Sequence, residues 1–183
     1  MTMTDDGESM TMTDDKKLCL VTGVGPGTGT AIVKRFAAGG YRVAMMARDE
    51  ARLEGLVGAV PDTHGYACDV ADAASLDKAL ARIEAELGPI HTLVHNAVGA
   101  VLTNYLDLDP ADLRRNFEIN TVALLQLAQR LSPPMIERGE GVILATGNTS
   151  AYRGKANFAG FAPTKAAQRI LLESIARHAG PKG

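Results

Sequence analysis

Short apolar segments alternate with helical stretches from residue 16 onward, and this alternation limits the possible folds more than any other feature of the chain. Strands that alternate with helices and are apolar on both faces form a parallel sheet that is covered by helices on both sides. Right-handed crossovers then predict a doubly wound α/β fold with three layers, helix, sheet and helix. The predicted strands are 18–22, 41–47, 64–68, 92–95 and 141–146.

The helices are predicted from the spacing of their apolar residues. One helix covers 110–131, and we expect the adjacent prolines at 133 and 134 to end it; a last helix covers about 158–178. The polar Asn120 interrupts the apolar stripe of the first of these helices. Because a buried amide needs hydrogen-bond partners, we expect Asn120 to tie its helix to a neighbouring strand or to hold a water.

Residues 1–15 differ from the rest of the chain, since MTMTDD occurs twice there and no periodic apolar pattern is present. We predict a disordered tail over 1–15 and one domain over 16–183.

Composition excludes several classes of protein. The 183 residues carry a formal net charge of −2. The chain therefore lacks the excess of Lys and Arg that binding to nucleic-acid phosphates requires. No apolar run reaches the ~20 residues of a membrane helix, and no secretory signal is visible. Cys19 and Cys68 form no C-x-x-C motif. We therefore predict two buried thiols, a cytoplasmic protein, no membrane or nucleic-acid partner and no metal site.

A glycine-rich segment follows the first strand and opens a helix. In a doubly wound sheet the ligand lies beyond the carboxyl ends of the strands. Glycines permit a tight turn and let a pyrophosphate approach the backbone, while the helix N-terminus supplies free N–H groups. A plain glycine-rich turn is the alternative, but the position between strand and helix favours a dinucleotide site. The residues concerned are Thr22, Gly23, Gly25, Gly27, Thr28 and Gly29.

The ends of the second and third strands bear on the choice of dinucleotide. Ala47 offers no carboxylate for a ribose 2′-hydroxyl, whereas Arg48 suits a 2′-phosphate, which predicts NADP(H) over NAD(H). Arg48 as a solvated surface charge is the alternative, and Asp49 is explained by a helix N-cap. Asp69, followed by Val70, either accepts from an adenine amino group or caps a turn.

Small and amide residues follow the fourth strand, where Asn96 and Ala97 suit a loop pressed against a cofactor. We expect His95 to be packed at the strand end rather than to be catalytic. Phe161 and Lys165 stand four residues apart, on one face of the last helix.

These motifs together resemble the short-chain dehydrogenase/reductase family over residues 17–182. The family pattern T-G-x-x-x-G-x-G is complete at Thr22, Gly23, Gly27 and Gly29. The resemblance implies a Rossmann-like fold and an oxidoreductase that transfers a hydride between NADP(H) and a small carbonyl or alcohol substrate.

Three further matches carry roles implied by the resemblance. Asp69 and Val70 match the family's Asp-Val and would border adenine, while Asn96 and Ala97 keep half of N-N-A-G and would line the ribose side. Asn120 resembles the family's helix asparagine and would position a water or the helix.

The family's catalytic Y-x-x-x-K resembles the segment from Phe161 to Lys165, so the lysine is present and the tyrosine is not. The family's spacing places its substrate-binding serine at Asn148. In the family, tyrosine gives or takes the proton, and lysine binds the nicotinamide ribose and lowers the tyrosine pKa. Tyr152, Ser150 or a water near Lys165 could substitute for the missing hydroxyl.

Loss of the tyrosine hydroxyl removes general acid–base catalysis at that atom, a contribution of ~10²–10⁴-fold. Hydride transfer is the cofactor's own chemistry and could persist slowly. A nucleotide-binding or interaction protein without turnover is therefore the main alternative, and a poorly folded remnant is a third.

The resemblance also implies a homodimer through the helices 110–131 and 158–178. Family members continue into a sixth and usually a seventh strand, so we expect a sheet without these strands and an exposed edge at 141–146.

Overall fold

A computed structural model describes residues 16–183, and the tail predicted over 1–15 lies outside the described residues. Strands and helices alternate as predicted as far as the fourth strand, and two consecutive helices then precede the fifth. The strands are β1 (Leu18–Thr22), β2 (Arg42–Ala47), β3 (Thr63–Ala67), β4 (Ile90–His95) and β5 (Val142–Ala145). The α-helices are α1 (Thr28–Ala38), α2 (Glu50–Ala59), α3 (Ala73–Leu87), α4 (Pro110–Phe117), α5 (Ala123–Arg138) and α6 (Ala162–Ala179).

The five strands form one parallel sheet in the order β3-β2-β1-β4-β5. The order reverses between β1 and β4, and Thr22 at the end of β1 is in register with His95 of β4 and with Met46 of β2. This arrangement confirms the predicted doubly wound α/β fold, and it opens a crevice beyond the carboxyl ends of the strands.

Two apolar clusters cover the two faces of the sheet. On one face, Leu20 packs with Ile83 of α3 and Leu127 of α5; on the other, Val21 packs with Val33 of α1. Alternate residues of one strand thus point to opposite faces, as the pleat of a strand requires. The sheet is therefore the middle of three layers, and the crevice lies at its carboxyl edge.

The two cysteines lie within these clusters and are unpaired. Burial raises the pKa of the Cys19 thiol to about 12 and also raises the pKa of Cys68. The prediction of two buried thiols is confirmed.

The prediction that Pro133 and Pro134 end a helix is wrong, because both lie inside α5. Proline removes a backbone donor, which leaves the carbonyls of Gln129 and Arg130 without their helical partners. These two residues and both prolines are exposed, so water can satisfy the freed carbonyls. The helix instead ends at Gly139, which adopts the left-handed conformation with φ 71°.

The last helix begins at Ala162 rather than near residue 158. A 3₁₀ turn, Ala156–Phe158, precedes it, and Asn157 there has non-helical angles of φ −97° and ψ 26°. Pro163 occupies the first turn of α6, where the missing N–H costs nothing.

A π turn, Glu118–Val122, joins α4 to α5 without a break in the helical path. Asn120 lies at its centre and is fully buried. Within residues 16–183, no helix is long and apolar enough to cross a membrane.

Candidate functional site

A cleft of about 940 Å³ lies at the carboxyl edge of the sheet. Residues that follow all five strands line it, together with two from the start of α6. Of the residues predicted for the site, those that line the cleft are Gly23, Gly25, Thr28, Gly29, Arg48, Asp69, Val70, Asn96, Ala97, Asn148, Phe161 and Lys165. Thr22, Gly27 and Asn120 are not among the lining residues.

The glycine turn after β1 packs tightly against the segment after β4. Gly23 has φ +70°, and a Cβ atom there would lie 2.3 Å from Cα of Ala97. A Cβ at Gly29 would lie 2.7 Å from the carbonyl oxygen of Gly23, and Asn96 Nδ2 donates to that same oxygen at 2.8 Å. Gly23 and Gly29 are therefore required by packing rather than by a ligand.

Gly25 and Gly27 differ from these two, because nothing lies within 4 Å of a Cβ built at either position. Gly25 lines the cleft, and α1 begins just beyond it, with Gly27 as its N-cap. The first amides of an α-helix have no partner within the helix and point toward its N-terminal end. The chain thus offers open space and unpaired donors at one point, which fits a pyrophosphate.

Arg48 follows the end of β2, where its charge acts on Asp69 without an ion-pair contact. Arg48 is exposed, lines the cleft and forms no ion pair in the part of the chain that is described. Asp49 is engaged elsewhere, since it caps α2 by accepting from the amide of Arg52 at 3.0 Å and pairs with the Arg52 guanidinium at 2.8 Å. The N-cap explanation of Asp49 is confirmed.

Asp69, after β3, has partners on both carboxylate oxygens. Oδ1 accepts from the amide of Ala71 at 3.1 Å, and Oδ2 accepts from Nη2 of Arg115 on α4 at 2.5 Å. Burial acts to raise the pKa of Asp69, but the two hydrogen bonds and the charges of Arg115 and Arg48 together lower it. Arg115 was not among the predicted residues, because no local pattern links positions 46 residues apart.

His95, at the end of β4, is fully buried and packed, as expected. Its Nδ1 lies 3.0 Å from the hydroxyl of Thr22, and its Nε2 lies 3.0 Å from the carbonyl oxygen of Ile119 in the π turn. Burial lowers its pKa to about 4, so the ring is neutral near pH 7.

Asn120 ties three segments together from behind the cleft. Its Oδ1 accepts from the amide of Gly99 at 2.9 Å, and its Nδ2 donates to the carbonyl of Gly99 and to Oγ1 of Thr164, at 2.8 and 2.7 Å. The partners are thus the segment after β4 and helix α6. We expected a strand or a water, and the observed link runs to a loop and a helix instead.

Lys165 and Phe161 meet at the α6 end of the cleft. Lys165 is 3% exposed, its Nζ donates to the carbonyl oxygen of Thr146 at 2.7 Å, and burial lowers its pKa to about 8. Phe161 is 8% exposed, and its ring centroid lies 6.3 Å from that of Phe158. A buried amine and a phenylalanine ring without a hydroxyl therefore lie side by side at this end of the cleft.

Asn148 lies across this end of the cleft and is exposed. Its Oδ1 accepts from the amide of Ser150 at 2.8 Å, which leaves the two Nδ2 hydrogens available as donors.

Neither of the alternative hydroxyl groups lines the cleft. Ser150 is buried, and its hydroxyl has no hydrogen-bond partner among the described residues. Tyr152 is 76% exposed, and its ring lies against Arg169, with the guanidinium carbon 4.7 Å from the ring centroid. Over residues 16–183, no group of three or more His, Cys, Asp or Glu side chains could hold a metal ion.

A family model described as short chain dehydrogenase matches residues 17–183. The chain belongs to this family. Its fold, glycine turn and α6 lysine agree with this family.

Curated and solved short-chain dehydrogenase relatives are longer than this chain. L-xylulose reductase from Bos taurus is 34% identical over 163 residues, which cover 88% of this chain and 65% of the relative. A short-chain dehydrogenase from Streptomyces avermitilis superposes with a TM-score of 0.89 at 32% identity, covering 94% of this chain and 63% of the other. A 3-ketoacyl-(acyl-carrier-protein) reductase from Brucella melitensis, complexed with NADH, gives 0.85 at 29% identity and covers 91% and 70%. The chain thus spans less than two thirds of the length of L-xylulose reductase from Bos taurus.

Proposed function

We propose that this protein is an oxidoreductase that transfers a hydride between NADP(H) and a small carbonyl or alcohol compound. The observation that carries the proposal is the continuity of one cleft from the glycine turn, at Gly25, past Arg48 to Lys165 on α6. A dinucleotide needs a phosphate site where the strand order of the sheet reverses, and polar contacts for the nucleoside at each of its two ends. The relative from Bos taurus is named for the reduction of L-xylulose, which supports a small carbonyl substrate.

The residues that follow β1, β2 and β3 hold the adenosine half of the cofactor. The backbone amides at the start of α1, from Thr28 onward, bind the pyrophosphate in the open space beside Gly25, in the turn that Thr22, Gly23, Gly27 and Gly29 shape. The unpaired guanidinium of Arg48 binds the 2′-phosphate, because a planar fork of donors matches phosphate oxygens. Asp69 accepts from the adenine amino group with lone pairs that Ala71 and Arg115 leave free, and Val70 borders the ring.

The residues that follow β4 and β5 hold the nicotinamide half and the substrate. Asn96 and Ala97 line the ribose side, and Lys165 donates one N–H to a hydroxyl of the nicotinamide ribose. Asn148 donates from Nδ2 to the substrate oxygen, where charge develops as the carbonyl is reduced. Asn120 fixes α6 against the loop after β4 and so sets the position of Lys165. The cofactor supplies the hydride when it is bound.

One observation favours a second candidate function, a nucleotide-binding protein without turnover. Phe161 lines the cleft and has no hydroxyl, and neither Ser150 nor Tyr152 lines the cleft in its place. This candidate keeps every cofactor contact above and removes only the proton transfer.

Two exposed apolar side chains support a homodimer through α5 and α6. Leu125 on α5 is 38% exposed, and Ile170 on α6 is 49% exposed. We propose a two-fold interface on these helices, to be tested by light scattering at micromolar concentration.

The test of function combines a titration with a screen. NADPH and NADH are titrated by the change in nicotinamide fluorescence, and NADPH oxidation is then followed with small ketoses, diketones and aldehydes. Binding with turnover supports the first candidate, and binding without turnover supports the second. A protein that binds neither nucleotide would contradict both.

A further inference from the structure

The α6 end of the cleft contains one ionisable side chain. The residues that line this end are Val98, Ile119, Thr146, Gly147, Asn148, Phe161 and Lys165. Only the lysine among them carries a proton that dissociates in the range of a working enzyme. A carbonyl reduced here needs a proton on its oxygen, and the phenylalanine cannot give one.

The surroundings of Lys165 are polar but uncharged. Its ammonium group has three N–H donors, and the carbonyl oxygen of Thr146 takes one of them. No carboxylate pairs with it anywhere in the described part of the chain. Two of its donors are therefore available to groups that enter the cleft.

The pKa of the Lys165 amine is shifted by burial and not by the charged groups around α6. Burial is the cause that lowers its pKa to about 8. The nearby His95 on β4 is neutral near pH 7, and the 3₁₀ turn 149–151 carries no titratable side chain. No other titratable side chain on α6, or on the elements that pack against it, is among the causes that shift the pKa of Lys165. These side chains are Asp112, Arg114, Arg115, Glu118, Arg130, Glu137, Arg138 and Lys182 on the neighbouring elements, and Arg169, Glu173, Arg177 and His178 on α6.

We propose that Lys165 is the proton source for the substrate oxygen, in place of a hydroxyl at position 161. This inference rests on the proposed oxidoreductase function. The carbonyl carbon gains a hydride with its two electrons from the reduced nicotinamide, and the C=O π pair moves onto oxygen. One N–H bond of the Lys165 ammonium breaks and an O–H bond forms, directly or through one water. The neutral amine then regains a proton from solvent.

An ammonium group with a pKa near the working pH is a good general acid, because it is mostly protonated and yet releases its proton readily. In water the same side chain would hold its proton until about pH 10.4. The burial that removes Lys165 from solvent therefore adapts it to this role. Ribose binding and proton donation use separate N–H donors of one group, so the two roles are compatible.

The test begins with the protein alone. Lysine labelled with ¹³C at Cε reports the protonation of each amine by NMR, and Lys165→Met identifies the resonance. Titration near pH 8 supports the inference, and titration above pH 10 overturns it.

The second measurement is NADPH-dependent reduction of the best carbonyl from the screen, as a function of pH. We expect kcat/KM to fall above about pH 8 with the loss of one proton. Lys165→Arg keeps a cation and N–H donors but does not release a proton below about pH 12. We expect it to lower kcat/KM by ~10²-fold or more while NADPH affinity changes by only a few fold. Lys155→Arg is the matched control, since Lys155 lies against the Phe158 ring and not in the cleft.

The outcomes separate this inference from the proposed function. If Lys165→Arg keeps the wild-type kcat/KM and the same fall of kcat/KM above about pH 8, Lys165 is not the proton source. The proposed oxidoreductase function would still stand in that case. NADPH binding without turnover by the wild type overturns both the role of Lys165 and the catalytic part of the proposed function.

Discussion

Thr22 and His95 form a hydrogen bond across neighbouring strands, with the hydroxyl oxygen 3.0 Å from Nδ1 of the buried ring. The other ring nitrogen faces the carbonyl oxygen of Ile119, and a carbonyl only accepts. Nε2 must therefore carry the proton, and Nδ1 must accept from Thr22. The neutral ring is therefore the form that lets the Thr22 hydroxyl, the imidazole and the Ile119 carbonyl all form hydrogen bonds.

The first prediction is that protonation of His95 destabilises the fold. Its pKa is about 4 when folded and about 6.5 when exposed, so the unfolded chain binds more protons between these values. Above pH 6.5 the neutral ring therefore contributes roughly 3 kcal/mol to the free energy of unfolding, and this contribution is lost as the pH falls toward 4. Urea unfolding between pH 4 and 7.5 measures the effect. His95→Asn should flatten the profile, and a variant with the wild-type slope would contradict the assignment.

The second prediction concerns the 2′-phosphate. Arg48→Ala should weaken NADPH binding by roughly 1.5–3 kcal/mol, the range for a hydrogen bond to a charged group, and leave NADH binding unchanged. Arg130→Ala serves as a control, because that guanidinium pairs with Glu84 away from the cleft. Equal affinity of the wild type for NADPH and NADH would refute the preference.

The third prediction separates two glycines of one turn. Gly23→Ala should cost ~2 kcal/mol or more, because φ is +70° and the new methyl would meet the backbone of Ala97. Gly25→Ala meets no atom within 4 Å and should leave the unfolding midpoint nearly unchanged. Its methyl group would instead enter the space proposed for the pyrophosphate and weaken cofactor binding. Denaturation and NADPH titration of both variants provide the comparison.

The fourth prediction is a gain of activity. Phe161→Tyr places a hydroxyl in the cleft four residues before Lys165, and we expect reduction to accelerate tenfold or more, within the ~10²–10⁴-fold range of general acid catalysis. Phe158→Tyr adds the same group outside the cleft and should not accelerate it. No gain from Phe161→Tyr, with NADPH binding intact, would show that proton transfer does not limit the rate.

The fifth prediction concerns β5, which pairs with β4 alone in the described sheet. Val142 is 40% exposed and Leu144 is 44% exposed. Amide exchange across 142–145 should be faster than across β1 in a dilute sample and should slow as concentration rises, because apolar edges associate. Equal protection of β5 and β1 in a monomer would contradict this expectation.

The sequence was sufficient to predict the sheet, because short apolar strands between helices leave few other packings. It was also sufficient to place Arg48 at the cleft, since parallel strands end at a common edge, while Lys165 was assigned through its match to the family pattern. Local patterns did not predict the Arg115–Asp69 pair or the partners of Asn120, which depend on residues that only the fold brings together. Pro133 and Pro134 misled the prediction because the cost of a proline depends on whether the carbonyls it frees can reach water.

The π turn holds one residue more than an α-helical path between the same two points requires. If one residue were lost from 118–122, α4 and α5 could continue as a single regular helix, and the leucines of α5 could still face the sheet. Asn120 would then no longer reach both Gly99 and Thr164. The loss of a single residue would therefore remove the link between the π turn and α6 and leave both helices in place.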